Sequence, residues 1–186
     1  MPILLHINGP SGVGKSTLAR RWSDDRPGSL DLEADHLSAM LGGWQADFGA
    51  AFTATRRLAL AMAATHLSEG FDVVMPQLVT LPSEAERFER VAQDACARYV
   101  EVALLAEPDM QIERFRQKSG SSDIDRLIGE YIDDRGGDSV LRRIQGHLLA
   151  YLDQRPNTGR LATDDLDVGE TYDALLRLVP TATGRS

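Results

Sequence analysis

The sequence predicts an α/β fold, a parallel β-sheet covered by helices on both faces, and three observations predict it. Short apolar runs alternate along the chain with longer segments of helical period. The first run, "ILLHI", breaks directly into "NGPSGVGKSTLAR". There Gly9, four residues, then Gly14, Lys15 and Ser16 match G-x-x-x-x-G-K-[ST], a spacing that needs a strand before it and a helix after it. Gly70 in "SEGFDVV" stands where a helix stops and a strand begins. Alternation of this kind builds right-handed βαβ units around a parallel sheet.

The elements follow in order. Residues 3–8 are the first strand and "KSTLARRWSDD" the helix behind the glycine turn. Residues 29–32 form a second strand. After it come "DLEADHL" and two helical stretches, "DHLSAMLGG" and "FTATRRLALAMAATHLSEG", loosened at Gly42, Gly43 and Gly49. Residues 72–75 are the third strand, "PSEAERFERVAQDACA" the next helix, and residues 99–105 the fourth strand. "EPDMQIERFRQKSG" is helical, whereas "KSGSSDIDRLIGEYIDDRGGDS" is polar, Gly-rich and the least core-like part, and is expected to be mobile. "SVLRRIQGHLLAYLDQR" is helical again, "RPNTGR" turns into a last strand over 160–163, and "VGETYDALLRLV" ends the pattern as a helix. No repeat, linker or low-complexity tract divides the chain, so 1–186 is expected to be one domain. His6, inside the first strand, reads as a packed core histidine, and Cys96 as a buried small apolar side chain.

Composition narrows the function. The 186 residues carry a formal net charge of −8 and no basic cluster longer than "RR", which disfavours sequence-independent nucleic-acid binding. No apolar stretch has the length of a membrane span, and the glycine turn stands where a leader segment would. One cysteine excludes a disulfide framework and points to a cytoplasmic location.

The glycine turn carries the strongest chemical signal. Backbone N–H groups from Gly9, Ser11, Gly12, Val13, Gly14, Lys15, Ser16 and Thr17, at the positive end of the following helix, are expected to cradle nucleotide phosphates. Lys15 would reach the β- and γ-phosphates and the Ser16 hydroxyl would ligate Mg²⁺.

The loop "INGPSGVGKST", the Pro76-Gln77 pair closing "DVVMPQ", "IERFRQKSG", the short length and the element order resemble the small P-loop kinases. That group includes shikimate, gluconate and nucleotide kinases and antibiotic phosphotransferases. The likeness is nearest to the P-loop kinase-like proteins that include tunicamycin-resistance proteins. The resemblance implies the P-loop NTPase fold with a five-stranded parallel sheet of order 2-3-1-4-5. It implies an acceptor-binding helical region at about 35–69 and an arginine-bearing lid at about 119–138. It also implies ATP and Mg²⁺ as cofactors, a small-molecule acceptor, and a monomer or homodimer. One departure stands out. Many P-loop proteins end strand 3 with an acid that helps hold Mg²⁺, but here Met75, Pro76 and Gln77 occupy that end and Asp72 lies at the other.

The acids nearest that place are Glu33 and Asp35, two apart beyond strand 2 and so on one side of extended backbone. They resemble the D-x-D segment of shikimate-type kinases. By that likeness Glu33 touches Mg²⁺ through water and Asp35 takes the acceptor's proton, while a simpler reading makes Asp35 a helix cap. His36 is a possible base by residue type. Trp44, Phe48, Phe52 and Arg56 recur every four residues, a stripe that either packs into the core or walls an acceptor pocket. In the second case Arg56 or Arg57 binds a polar or anionic group and Gln77 lines the same pocket. Arg114, Arg116, Lys118, Arg126 and Arg135 are the lid-side cations. By position Arg114 resembles the helix arginine beside the nucleotide base and Arg126 the lid arginine. Lys15, Asp35 and Arg126 are the expected catalytic groups of a kinase, with nucleosides, sugars, aminocyclitols and antibiotics all open as acceptors. A nucleotide switch would need a guanine-selecting N-K-x-D, which is absent; an ATPase or a nucleotide-binding protein without transfer remains the alternative.

Overall fold

The structure is a computed structural model that describes residues 1–120 and 122–179, apart from the Phe48 side chain. Among these residues, five parallel strands form one sheet: β1 (Ile3–Asn8), β2 (Leu30–Asp31), β3 (Val73–Pro76), β4 (Arg98–Leu105) and β5 (Gly159–Ala162). Their order is β2-β3-β1-β4-β5. The helices are α1 (Lys15–Asp24), α2 (Ala34–Ala39), α3 (Phe48–Ser68), α4 (Pro82–Asp94), α5 (Pro108–Lys118), α6 (Asp123–Asp133), α7 (Asp138–Asp153) and α8 (Val168–Leu178). Expected and observed strands differ by at most one residue at either end, and β1 does not differ. No helix among the described residues is long and apolar enough to cross a membrane.

Strand β1 is buried along its whole length, because the sheet is covered on both faces and each face takes alternate residues. Ile3, Leu5 and Ile7 pack with Leu18 and Trp22 of α1 and with Tyr172 and Leu175 of α8. Leu4 faces the other way, with Val73 and Met75, onto Ala59, Ala63 and Leu67 of α3 and Phe88 of α4. Further along that face Ala103 meets Leu148, Tyr151 and Leu152 of α7. Helices start where the chain supplies the chemistry: Pro82 and Pro108 open α4 and α5, and Asp167 with Glu170 forms a capping box on α8.

Three expectations change. The polar stretch expected to lack a core contains helix α6, whose Ile128 and Ile132 pack with Ile112 and Phe115 of α5 and Val140, Leu141 and Ile144 of α7. Cys96 is exposed, not buried. It follows α4 with φ 52°, where the chain reverses and the Ala97 N–H returns to the Ala92 carbonyl at 2.7 Å. Trp44 lies in a turn, its N–H bonded to the Leu41 carbonyl, so the four-residue stripe is helical only from Phe48 onward.

Candidate active site

The glycine turn sits between β1 and α1 and is held from two sides. Asn8, fully buried, accepts from the Gly9 and Val79 N–H groups at 2.8 and 3.0 Å and donates to the Val79 carbonyl and to Glu101. Helix α5 closes the other side, with the Gln111 amide donating to the Ser11 carbonyl at 2.6 Å. Gly12 has φ 93°, and a Cβ there would lie 2.8 Å from the Phe115 backbone nitrogen, so only glycine fits between loop and helix. Gly14, φ 91°, is the N-cap of α1, and the first turn of that helix carries no acid. The free N–H groups and the helix dipole therefore face an anion without competition.

Lys15 bends back over the turn and donates to the Pro10 carbonyl at 2.8 Å. Burial pushes its pKa down to about 8, against the pull of Asp35 and Glu33. The Ser16 hydroxyl donates to Glu33, which forms the N-cap position of α2, and Asp35 follows in the first turn of that helix. Glu33 is the cap residue, so the capping explanation for Asp35 does not describe this helix. Burial raises the Asp35 pKa, the Glu33 charge raises it further, and Lys15 and Lys118 pull it back. His36 has its side chain 66% exposed and stands 3.7 Å from Glu33.

Three cavities run in a row along the C-terminal edge of the sheet, where ligands of open α/β sheets bind. The first, about 370 Å³, lies between the glycine turn, Arg114, Thr163 and the start of α8. The second, about 300 Å³, is lined by Lys15, Ser16, Thr17, Glu33, Asp35 and Lys118. The third, about 260 Å³, is walled by Phe52, Pro76, Gln77, Leu78 and the isoleucines of α6 and α7. Arg114 lines the first two and is fixed by bonds to the Thr163 hydroxyl and carbonyl, both 3.1 Å. Ser11, Lys15, Asp35 and Pro76 line both the second and the third.

Other sequence candidates lie elsewhere. Arg126 is half-exposed, donates to Glu130 at 2.8 Å within its own helix, and lines none of the three cavities. Lys118, at the last turn of α5, faces the second cavity and pairs with Asp125 of α6 at 2.8 Å. Arg56 pairs with Glu84 and lies over the Phe52 ring, 4.7 Å from its centroid, and Arg57 is exposed. Trp44 does not line the third cavity, and the Phe48 side chain lies outside the described residues. Sequence reasoning missed the contribution of Ile128, Tyr131, Ile132 and Ile144. The signal was present as apolar residues at Ile124, Leu127, Ile128, Tyr131 and Ile132, a helical period inside an acidic segment.

The residues fit an Mg²⁺–nucleotide: a cradle that a Cβ at Gly12 would fill, a lysine at the loop, and a hydroxyl and a carboxylate converging on one point. Solved structures with this architecture include a kinase candidate from Chloroflexus aurantiacus, with a TM-score of 0.64 at 18% identity over 96% of this chain and 99% of that one. The APS kinase of Mycobacterium tuberculosis, in complex with AMPPNP and APS, matches with a TM-score of 0.59 at 17% identity over 95% and 96% of the two chains. A gluconokinase from Sinorhizobium meliloti matches at 0.57 and 19% identity over 95% and 92%. At these identities the likeness is one of fold, that of the small P-loop kinases. No curated protein matches the chain by sequence. The family model described as AAA domain matches residues 4–133, from the first strand through the phosphate loop to the end of α6, and the chain belongs to that family.

Proposed function

We propose that the chain is an ATP-dependent phosphotransferase that moves the γ-phosphoryl group to a small-molecule acceptor. One observation carries the reading: Lys15 and Asp35 stand in the wall shared by the phosphate-side cavity and the apolar cavity beyond it. A transferred group must pass between donor and acceptor in line, and this wall is where the two spaces meet. Neighbours of the same fold bear the names gluconokinase and APS kinase, which supports the class of reaction.

The roles follow from position. The loop N–H groups and Lys15 bind the donor's phosphates, and Arg114 with Thr163 borders the base side. Ser16 and Glu33 would hold Mg²⁺, which when bound neutralises phosphate charge and polarises the transferred group. Asp35 accepts the acceptor's proton, and its raised pKa suits a base better than an ordinary carboxylate. Lys118 can leave Asp125 for the group in transit, supplying the positive charge that a loose transition state needs.

Calorimetry with AMPPNP and Mg²⁺ tests the donor site. Lys15→Ala, with unchanged circular dichroism, is expected to bind about 10–100-fold more weakly, the worth of one charge-assisted hydrogen bond. Equal affinity in parent and variant overturns the reading.

A further inference from the structure

We infer that the acceptor is a small uncharged alcohol with an apolar body and a second hydrogen-bonding group, an inference that rests on the phosphotransferase reading above. The third cavity is its site. At about 260 Å³ it lies below the ~300 Å³ at which drug-sized pockets begin. Phe52, Pro76, Leu78, Ile128 and Ile132 make its walls apolar. Besides Ser11 and Tyr131, two polar features break them. One is the Asp35–Lys15 mouth toward the donor. The other is Gln77, only 4% exposed, whose amide oxygen is buried without a hydrogen-bond partner. A buried polar atom left unpaired is costly in a folded protein, so a partner brought by a ligand is the natural completion.

Two arginines stack on residues of the cavity wall, and neither lines the cavity itself. Arg56 lies over Phe52 and is paired with Glu84, while Arg135 lies 3.4 Å from the Tyr131 ring centroid and donates to the Tyr131 carbonyl. The Arg56 Nε is buried without a partner outside the cavity wall, whereas Gln77 lines the cavity and presents its equally buried oxygen once the side chain turns. Arg57 is exposed, and Lys118 is paired with Asp125. Among the described residues the only cation in the cavity wall is Lys15, which the donor's phosphates take. An anionic acceptor would face the Asp35 carboxylate with no counter-charge, in a chain of net charge −8. A neutral hydroxyl meets no such barrier. Its oxygen attacks the γ-phosphorus, its proton passes to Asp35, and the bond to the bridging oxygen breaks, so that ADP leaves with the electron pair and a phosphate monoester forms. A second hydroxyl or N–H on the acceptor donates to the Gln77 oxygen.

A matched pair of probes tests this: 3-phenyl-1,2-propanediol and 3-phenyllactate share ring and hydroxyl and differ in a neutral hydroxymethyl against a carboxylate. Each is titrated by calorimetry into the protein saturated with AMPPNP and Mg²⁺, and each is assayed for ADP release. The diol is expected to bind at least 10-fold more tightly than phenyllactate and to be turned over. Gln77→Leu is expected to weaken the diol about 10-fold with AMPPNP affinity unchanged. Glu84→Gln, which leaves Arg56 without its counter-charge, is expected to narrow the gap by raising phenyllactate affinity. Preferential binding of phenyllactate, or binding of neither probe to a protein that does bind AMPPNP, overturns the acceptor class alone. Failure to bind AMPPNP overturns the phosphotransferase reading instead.

Discussion

Asp35 is the residue on which the proposed phosphoryl transfer turns. It lies in the first turn of α2, behind a different N-cap residue, and it lines the cavities on both sides of the shared wall. Glu33 holds the cap position, which leaves the Asp35 carboxylate for the proton transfer of the proposed reaction. The sign of its pH dependence follows from its environment. Burial and the Glu33 charge raise its pKa above the usual 3.8, and a base works only when deprotonated. Turnover is therefore expected to fall with falling pH through a limb placed above the usual 3.8. Asp35→Asn is expected to cut turnover by about 10²–10⁴-fold, to erase that limb from the pH–rate profile, and to leave AMPPNP affinity within a few-fold. Near-normal turnover in the Asn variant would move the burden to electrostatic stabilisation by Lys15 and Lys118. Legibility at this scale is uneven. The place of the loop residues was readable because it follows from the spacing of one turn; Glu33 and Asp35 do reach one cavity, but through a helix that starts at Ala34 and not through the extended backbone expected. That Lys118 lines the second cavity and Arg126 does not was less readable, because it depends on the rotation of the last turn of α5, set by packing of Phe115 and Ile112 against α6 and α7.

Helix α6 shows the same limit for an element. Its segment is rich in Asp, Glu and Ser, and polarity hid an apolar stripe of helical period. The strands were readable within one residue at either end because a parallel sheet buried on both faces demands continuous apolar runs. The third cavity was not, because its walls come from α3, β3, α6 and α7, brought together only by the fold. Once folded, α6 is held lightly: Asp125, Gly129 and Ile132 are its buried residues, and the Lys118–Asp125 pair ties it to the phosphate side. An element with few buried contacts opens locally at low free energy. In the proposed reaction, phosphates that engage Lys118 would change that tie, so the donor would be sensed at the wall of the third cavity. Amide hydrogen exchange in α6 is expected to slow on addition of AMPPNP and Mg²⁺ in the parent. The change should vanish in Lys118→Ala, which still binds nucleotide through Lys15. An identical response in parent and variant removes Lys118 from this coupling.

Across the whole molecule, the centre of the sheet links stability to the site. Glu101 on β4 receives hydrogen bonds from Asn8, Tyr151 and Thr158, and Asn8 in turn anchors the phosphate loop. Burial alone would raise the Glu101 pKa, but these donors, and His6 only when it is protonated, hold it below the usual 4.5. Beside it His6 is fully buried, with Nε2 2.8 Å from the Gln77 carbonyl and Nδ1 2.8 Å from the Tyr99 hydroxyl. A carbonyl only accepts, so Nε2 carries a proton, and with burial disfavouring the charged ring Nδ1 accepts from Tyr99. The ring is thus neutral, and burial holds its pKa below 6.5 despite the nearby Glu101 carboxylate. The same bond fixes the backbone of Gln77, whose side chain reads the third cavity. Between the lowered folded pKa and 6.5 the unfolded chain binds more protons than the folded one, so stability drops as pH falls below about 6.5. One such group contributes a slope of at most about 1.4 kcal/mol per pH unit. His6→Gln cannot titrate. Whatever its absolute stability, its denaturant-derived unfolding free energy is expected to change less between pH 7 and pH 5 than that of the parent. Parallel pH dependences in parent and variant would show that His6 carries its proton in the folded protein, and the Gln77 carbonyl would then be held by an imidazolium.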